Sequence, residues 1–391
     1  MTWGQTDFAA PDFLLLKKKT HRTIIKAMKK DKFEYRKRVT FINRQQELKF
    51  LEDYINEEPE SILFLHGPKS SGKTTLLYKF LEQVGKKQNL AIKFMNLRET
   101  FTNVYEDFLK TFFDVHREGE KKETVESNIN VGFFKVNSAV EKKILEKRAD
   151  PFKVMKAEFL KLHKKGVKPV LIIDELQALD KVYIDNDRER LLIIALFNFF
   201  VAMTKERHLA HIIIASSDGY FLNTVYADSR LKKTSAFYKV DYLEKEDVRE
   251  WLLNLEKYSN ITGYKLTDEE IEKIWDTVGG SMWEIQDILS KLFQNPIEEV
   301  LSSYIKRIRN VIVSYMVKPE KKEMEKLLGR FIHSDELSQE EITPGDEKLL
   351  RDMVRQNILY FDPTEAKYYP QGKSFHNGIK AYFERRTEPV P

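Results

Sequence analysis

The 391-residue chain contains no cysteine. That excludes disulfides, thiolate metal sites and a cysteine nucleophile, and it suits a reducing cytoplasm, the compartment expected. No apolar run reaches the roughly 18 residues of a membrane-spanning helix, so no membrane partner is expected. The N-terminus opens on Trp3, Asp7 and Asp12, and Leu14-Leu15-Leu16 is too short for a secretory leader core. The eight histidines show neither H-x-x-x-H nor H-E-x-x-H spacing, which argues against a structural metal site. Internal repeats and low-complexity tracts are also missing.

What is present is a globular profile, with 42% apolar and 32% charged residues. The length predicts two to three domains at roughly 150 residues each. The net charge of +5 is unevenly spread. Residues 1–40 hold eleven Lys/Arg against four acids, a basic arm of +7, which leaves −2 for the remainder. Such an arm contacts nucleic acid or an anionic surface, or docks as a solvated helix on its own protein.

Between about 60 and 241, short apolar runs alternate with helical stretches, the pattern of an α/β fold with a parallel sheet. Strands are expected at 61–66, 90–97, 170–173, 211–215 and 237–240. The runs VLII and IIIA are continuous, as in strands buried on both faces. Helices are expected at 44–54, 74–84, 151–163 and 191–203. A marginal strand is expected around Ile129, Val131 and Phe133, and an exposed charged segment at 181–190. After Leu243 the pattern turns helical, with elements at 247–255, from the Thr267-x-x-Glu270 capping box onward, and at 283–293. Asn295-Pro296 marks a boundary. A long helix at 297–317 leads to a predicted winged helix-turn-helix: helices at 321–332 and 344–356, wing strands at 358–361 and 367–369, and a closing helix at 373–383. The expected domains are thus the arm 1–40, a core 41–243, a small helical lid 244–296 and a winged-helix domain 297–391.

The strongest chemical signal is Gly67-Pro68-Lys69-Ser70-Ser71-Gly72-Lys73-Thr74, a full G-x-x-x-x-G-K-[ST] match between a predicted strand and a predicted helix. In such a P-loop, backbone N–H groups from Gly67 to Thr75 curl around phosphate oxygens, and the next helix aims its positive end at them. Lys73 is expected on the β- and γ-phosphates and Thr74 on Mg²⁺. The second signal is Asp174-Glu175 at the end of the VLII strand, where α/β sheets build their sites. Asp174 is expected to hold Mg²⁺ and Glu175 to orient the attacking water. The third is Ser216 after the fourth strand. It either senses the γ-phosphate or, with Asp218, caps the next helix. No guanine-reading N-K-x-D segment is present, which favours ATP.

Together with Phe41-Ile42-Asn43-Arg44-Gln45-Gln46-Glu47-Leu48 and Gly279-Gly280-Ser281-Met282-Trp283, these motifs resemble the archaeal ATPase family, in the STAND branch of AAA+-related P-loop proteins. The resemblance covers about residues 40–295. It implies a P-loop NTPase core with a helical lid, and Mg²⁺-dependent ATP hydrolysis. It also implies that Arg44 and Glu47 lie near the nucleotide base, and that an arginine before the fifth strand, nearest here Arg230, touches the nucleotide. The family's lid proline is replaced by Met282. Three uses of ATP follow as expectations: a slow ATPase switch, an ATP-regulated DNA-binding factor contacting DNA through the arm or the winged helix, and a signalling scaffold that assembles with a protein partner or with itself.

Overall fold

The structure, a computed structural model, describes residues 41–387 except 86–88, 100–101, 114–142, 145, 147–148, 186, 228–230, 260, 262–263 and 293. The basic arm, the segment around Ile129, and Arg230 therefore lie outside the described residues.

The first helix, α1 (Gln45–Asn56), buries Leu48, Leu51 and Ile55 at helical spacing. Strand β1 (Ile62–His66) leads through the glycine-rich turn into α2 (Lys73–Val84). Strands β2 (Leu90–Asn96), β3 (Lys168–Asp174), β4 (His211–Ala215) and β5 (Ser235–Lys239) complete a five-stranded sheet. Its order is β2-β3-β4-β1-β5, and every neighbouring pair is parallel. Ile62–Leu65, Val170–Ile173 and Ile212–Ala215 are buried throughout, as continuous apolar strands between two helical layers must be. One layer uses α4 (Pro151–His163) and α5 (Leu192–Met203), with Phe159, Leu196 and Phe200 in the core.

The layer also contains a helix the sequence reading does not anticipate, α3 (Tyr105–Phe113). Its Phe108, Leu109, Phe112 and Phe113 are buried in the same core. Within the charged segment 181–190, Val182 is buried and Tyr183 bridges to Leu191, so that segment is anchored at its start. Strands β3 and β5 begin two residues earlier than their apolar runs, because the ladder pairs Lys168 with Leu90 and Ser235 with Ile62. Helix α6 (Gly219–Ala227) follows β4.

By its contacts, the described chain separates into two compact units. One comprises residues 41–43 with Glu246–Ile271. Here Asn43 Nδ2 donates to Asp247 Oδ1 at 2.6 Å, and Arg249 pairs with Asp268 at 2.6 Å. The capping box is formed, with Thr267 N–H donating to Glu270 Oε2 at 2.7 Å and Glu270 N–H to Thr267 Oγ1 at 3.2 Å.

The larger unit takes in Arg44–Lys245 and Glu272–Pro391. Past the sheet it holds α7 (Met282–Leu292), the long α8 (Ile297–Tyr315), α9 (Lys321–Gly329) and α10 (Pro344–Arg355). An antiparallel sheet in the order β6-β8-β7 follows, built from β6 (Leu337–Ser338), β7 (Leu359–Asp362) and β8 (Lys367–Pro370). The closing helix α11 (Lys373–Thr387) packs on α8. Two strands were expected here; the third, β6, is two residues long, too short to leave an alternation in the sequence. Met282 is the first residue of α7, where its own N–H needs no helical partner. A proline there is favoured but not required, so methionine fits without distortion.

Candidate nucleotide-binding site

The strand register decides which residues meet. Asn96, Asp174 and Ala215 stand level across β2, β3 and β4, and Leu65 of β1 stands level with Ala215. Each strand contributes one more bond past its end: Leu97 N–H to Asp174 O, Glu175 N–H to Ala215 O, and Ser216 N–H to Leu65 O. The carboxyl ends of four neighbouring strands are therefore brought to one height. The P-loop, Ser216, Glu175 and the residues after β2 share one edge, the edge at which parallel sheets bind ligands.

The P-loop backbone is left-handed at Ser70 and Gly72, and Gly67 has φ 147°. A Cβ on Gly67 would stand 2.1 Å from the Val240 carbonyl oxygen, so the approach of the chain after β5 requires glycine here. Pro68 and Ser71 are buried, Lys69, Ser70 and Thr75 are exposed, and Thr74 is half-buried. Lys73 is buried, and its ammonium donates to Gly67 O at 2.9 Å, Pro68 O at 2.9 Å and Ser71 Oγ at 3.3 Å. All three ammonium donors are thus held inside the loop. Burial pushes the Lys73 pKa down to about 8, while Glu175 and Asp174 act to raise it.

Thr74 Oγ1 donates to Asp174 Oδ2 at 2.6 Å. The other oxygen, Asp174 Oδ1, is buried without a hydrogen-bond partner among the described residues. Burial raises the Asp174 pKa, with the Thr74 bond opposing it. An unpartnered buried carboxylate oxygen beside a hydroxyl fits a hard divalent cation that takes further ligands from phosphate and water. Among the described residues no group of three His, Cys, Asp or Glu forms a protein-only metal cage.

Glu175 is buried and left-handed at φ 63°. Its Oε1 is 2.5 Å from an Arg98 guanidinium nitrogen, and its Oε2 accepts from Gln177 Nε2. Burial raises its pKa and Arg98 pulls it back. Ser216, fully buried, donates to Gln177 Oε1 at 2.9 Å and accepts from Asp218 N–H at 3.1 Å. Asp218 caps α6 through Tyr220 N–H and Phe221 N–H, both at 3.0 Å. Ser216 thus turns toward the acidic pair, while Asp218 serves as the cap.

Arg44 is buried. It donates to Ser71 O at 3.1 Å and Asp241 O at 2.5 Å, and pairs with Glu47 at 2.6 Å. Its guanidinium links the P-loop to the chain after β5. Arg98 and Gln177 are absent from the sequence-derived set. Arg98 was findable as the first charged residue after the apolar run of β2, at the carboxyl end where such sheets place their sites.

The C-terminal part of the larger unit also reaches this loop. Gln371, with its amide oriented to satisfy both neighbours, accepts from Lys69 N–H at 2.6 Å and donates to Leu359 O at 3.1 Å. Tyr242 OH donates to Lys69 O at 2.9 Å. His66, the residue before the loop, meets Tyr360 OH at 3.0 Å through Nδ1, and Lys239 meets Asp362 at 3.1 Å.

Comparison with known proteins agrees with this geometry. A family model described as an ATPase domain predominantly from Archaea matches residues 41–288. An uncharacterized ATP-binding protein of Methanocaldococcus jannaschii is 33% identical over 335 residues, 84% of this chain and 88% of that one. Another, from Pyrococcus abyssi, is 32% identical over 348 residues, 88% of this chain and 98% of that one. Among solved structures, a Walker-type ATPase of Pyrococcus abyssi superposes with a TM-score of 0.59 at 15% identity, over 87% of this chain and 96% of that one, a likeness of fold. On the strength of the family model and these relatives, the chain belongs to the archaeal ATPase family.

Proposed function

We propose that this protein binds Mg·ATP and hydrolyses it slowly, as a conformational switch working in the cytoplasm. The observation that carries the reading is the convergence of Lys73, Thr74, Asp174 and Glu175 on one sheet edge. The relatives described as ATP-binding proteins support it. In this reading Gly67–Thr75 cradles the phosphates through backbone N–H groups. Lys73 exchanges its loop carbonyls for phosphate oxygens. Thr74 and Asp174 hold the magnesium ion, which when bound offsets charge on the β- and γ-phosphates. Glu175 orients water and receives its proton. Ser216 responds to the γ-phosphate. Arg44 fixes the loop from behind, and Arg230 remains a candidate for nucleotide contact.

Residues 41–243 then act as the core, 244–296 as a lid and 297–391 as a winged-helix module. The contact of Gln371 with Lys69 gives that module a direct line to the phosphate loop. This is the support for a switch over a free-standing hydrolase. Phe361 and Asp362 of β7 and Tyr368 of β8 are buried, so in this arrangement the wing faces the protein. That favours the switch over a DNA reader or a self-assembling scaffold. Duplex binding through the arm or module would be shown by fluorescence anisotropy with a steep salt slope.

The deciding experiment pairs two variants. Glu175→Gln is expected to keep the affinity for a fluorescent ATP analogue with Mg²⁺ and to lose turnover by about 100-fold or more. Lys73→Ala is expected to weaken analogue binding by about 100-fold. A wild-type protein that binds no analogue ends the reading.

A further inference from the structure

The two oxygens of Glu175 are held by different hands. Arg98, itself half exposed, takes Oε1 from the β2 side. Gln177 takes Oε2 from the short 3₁₀ turn Leu176–Leu179. That turn is pinned by Leu176 and Leu179, both fully buried, and by Ala178 N–H donating to Glu175 O at 2.9 Å. The Gln177 backbone is therefore fixed, and only its side-chain torsions are free to respond.

The polarity of the chain of bonds follows from the groups alone. A carboxylate only accepts, so the Gln177 NH₂ faces Glu175 and its single oxygen faces Ser216. That oxygen also only accepts, so Ser216 must donate. The Ser216 oxygen meanwhile accepts from Asp218 N–H. A hydroxyl has one proton, and here it is spent on Gln177. Ser216 cannot donate to a phosphate oxygen without releasing Gln177.

We propose that Gln177 is a positioning residue that ties the Glu175 carboxylate to Ser216, so that the hydrogen bond made by Ser216 sets where Glu175 points. With Ser216 on Gln177, the carboxylate is held from both sides. With Ser216 on a γ-phosphoryl oxygen, the Gln177 amide loses its anchor on Ser216, and Arg98 becomes the only held partner of Glu175. The inference rests on the reading of Glu175 as the group that orients water.

The test uses the full chain and the variants Gln177→Ala, Gln177→Met, Ser216→Ala, the Ser216→Ala/Gln177→Ala double and Glu175→Gln. Methionine keeps the volume of Gln177 and removes its amide, which guards against a packing defect in the alanine variant. Mg·ATP turnover and affinity for a fluorescent non-hydrolysable ATP analogue are measured, with thermal unfolding of the nucleotide-free proteins. Each single change at 177 or 216 is expected to lower kcat about 10-fold, with KM and analogue affinity within about twofold. The double variant is expected to be no slower than the slower single, and the Tm changes are expected to be non-additive. Losses that multiply to about 100-fold in the double, or wild-type kcat in both 177 variants, overturn the tie. Should Glu175→Gln still hydrolyse ATP, the underlying reading falls instead, a result told apart because the Tm coupling between 177 and 216 does not depend on turnover.

Discussion

Strands β1 and β7 are both buried along their whole length, for different reasons. β1 is an interior strand of the parallel sheet, between β4 and β5, and its residues Ile62–Leu65 are all apolar. β7 lies at one side of a three-stranded antiparallel sheet and carries Tyr360 and Asp362, an edge strand by sequence and topology. It is buried because the parallel-sheet core covers it. The backbone of Gly219 passes so near that a Cβ would stand 2.1 Å from Phe361 O. Tyr220 stacks on Phe361 with ring centroids 5.5 Å apart, and its hydroxyl meets that of Tyr368 at 2.9 Å. The first strand is buried by its own composition, the second by docking. A paired, covered edge is one way proteins manage exposed strands.

The largest break in this comparison is expected from Phe361→Ala. It removes a fully buried ring at the docking surface and should cost about 3–5 kcal/mol in denaturant unfolding. Separate transitions for the core and the C-terminal module would show that docking, not the module's own core, was lost.

A smaller effect comes from acid. His66 lies in the docking surface and His211 in the parallel sheet alone, and both are buried. Burial lowers His66 to about 4, with Asp362 opposing and Lys239 and Lys73 assisting. Burial likewise lowers His211 to about 4, with Lys168 assisting. The unfolded chain then binds protons that the folded chain refuses. Stability is full above roughly pH 6.5 and falls toward pH 4, by about 1.4 kcal/mol per pH unit for each ring. His66→Gln should remove about half of that slope in urea midpoints measured from pH 7 to 4.5. An unchanged slope would assign the effect to His211.

The smallest effect is expected from Arg351→Ala. Its guanidinium lies 4.9 Å from the Tyr220 ring centroid, from a half-exposed position on α10. A loss of about 0.5–1 kcal/mol is expected by urea unfolding. A larger loss would mean that α10 is a main docking element.

The core was legible because its signals are local. Continuous apolar runs marked β1, β3 and β4, and Pro151–His163 appears with the bounds its proline and periodicity suggest. The helix Tyr105–Phe113 carries a local signal of its own, with Tyr105, Phe108, Leu109, Phe112 and Phe113 at helical spacing just before the charged run at 118–123, and it too was legible. Residues Lys73, Thr74, Asp174, Glu175 and Ser216 could be named from spacing. What bonds to them could not. Arg98 and Gln177 carry no motif, and they converge on Glu175 only because β2, β3 and β4 are neighbours in register.

By itself, the sequence determined the phosphate loop, the acidic pair and the alternation that builds a parallel sheet, because each lies within a few residues of chain and obeys local geometry. Only the tertiary structure decided that β4 stands between the P-loop strand and the acidic strand, which puts Ser216 within reach of Gln177. The same holds for the antiparallel sheet turned inward, with Tyr360 against His66 and Gln371 against Lys69. These contacts join residues about 300 positions apart, and the free energy of such pairings lies in shape and register rather than in any local pattern.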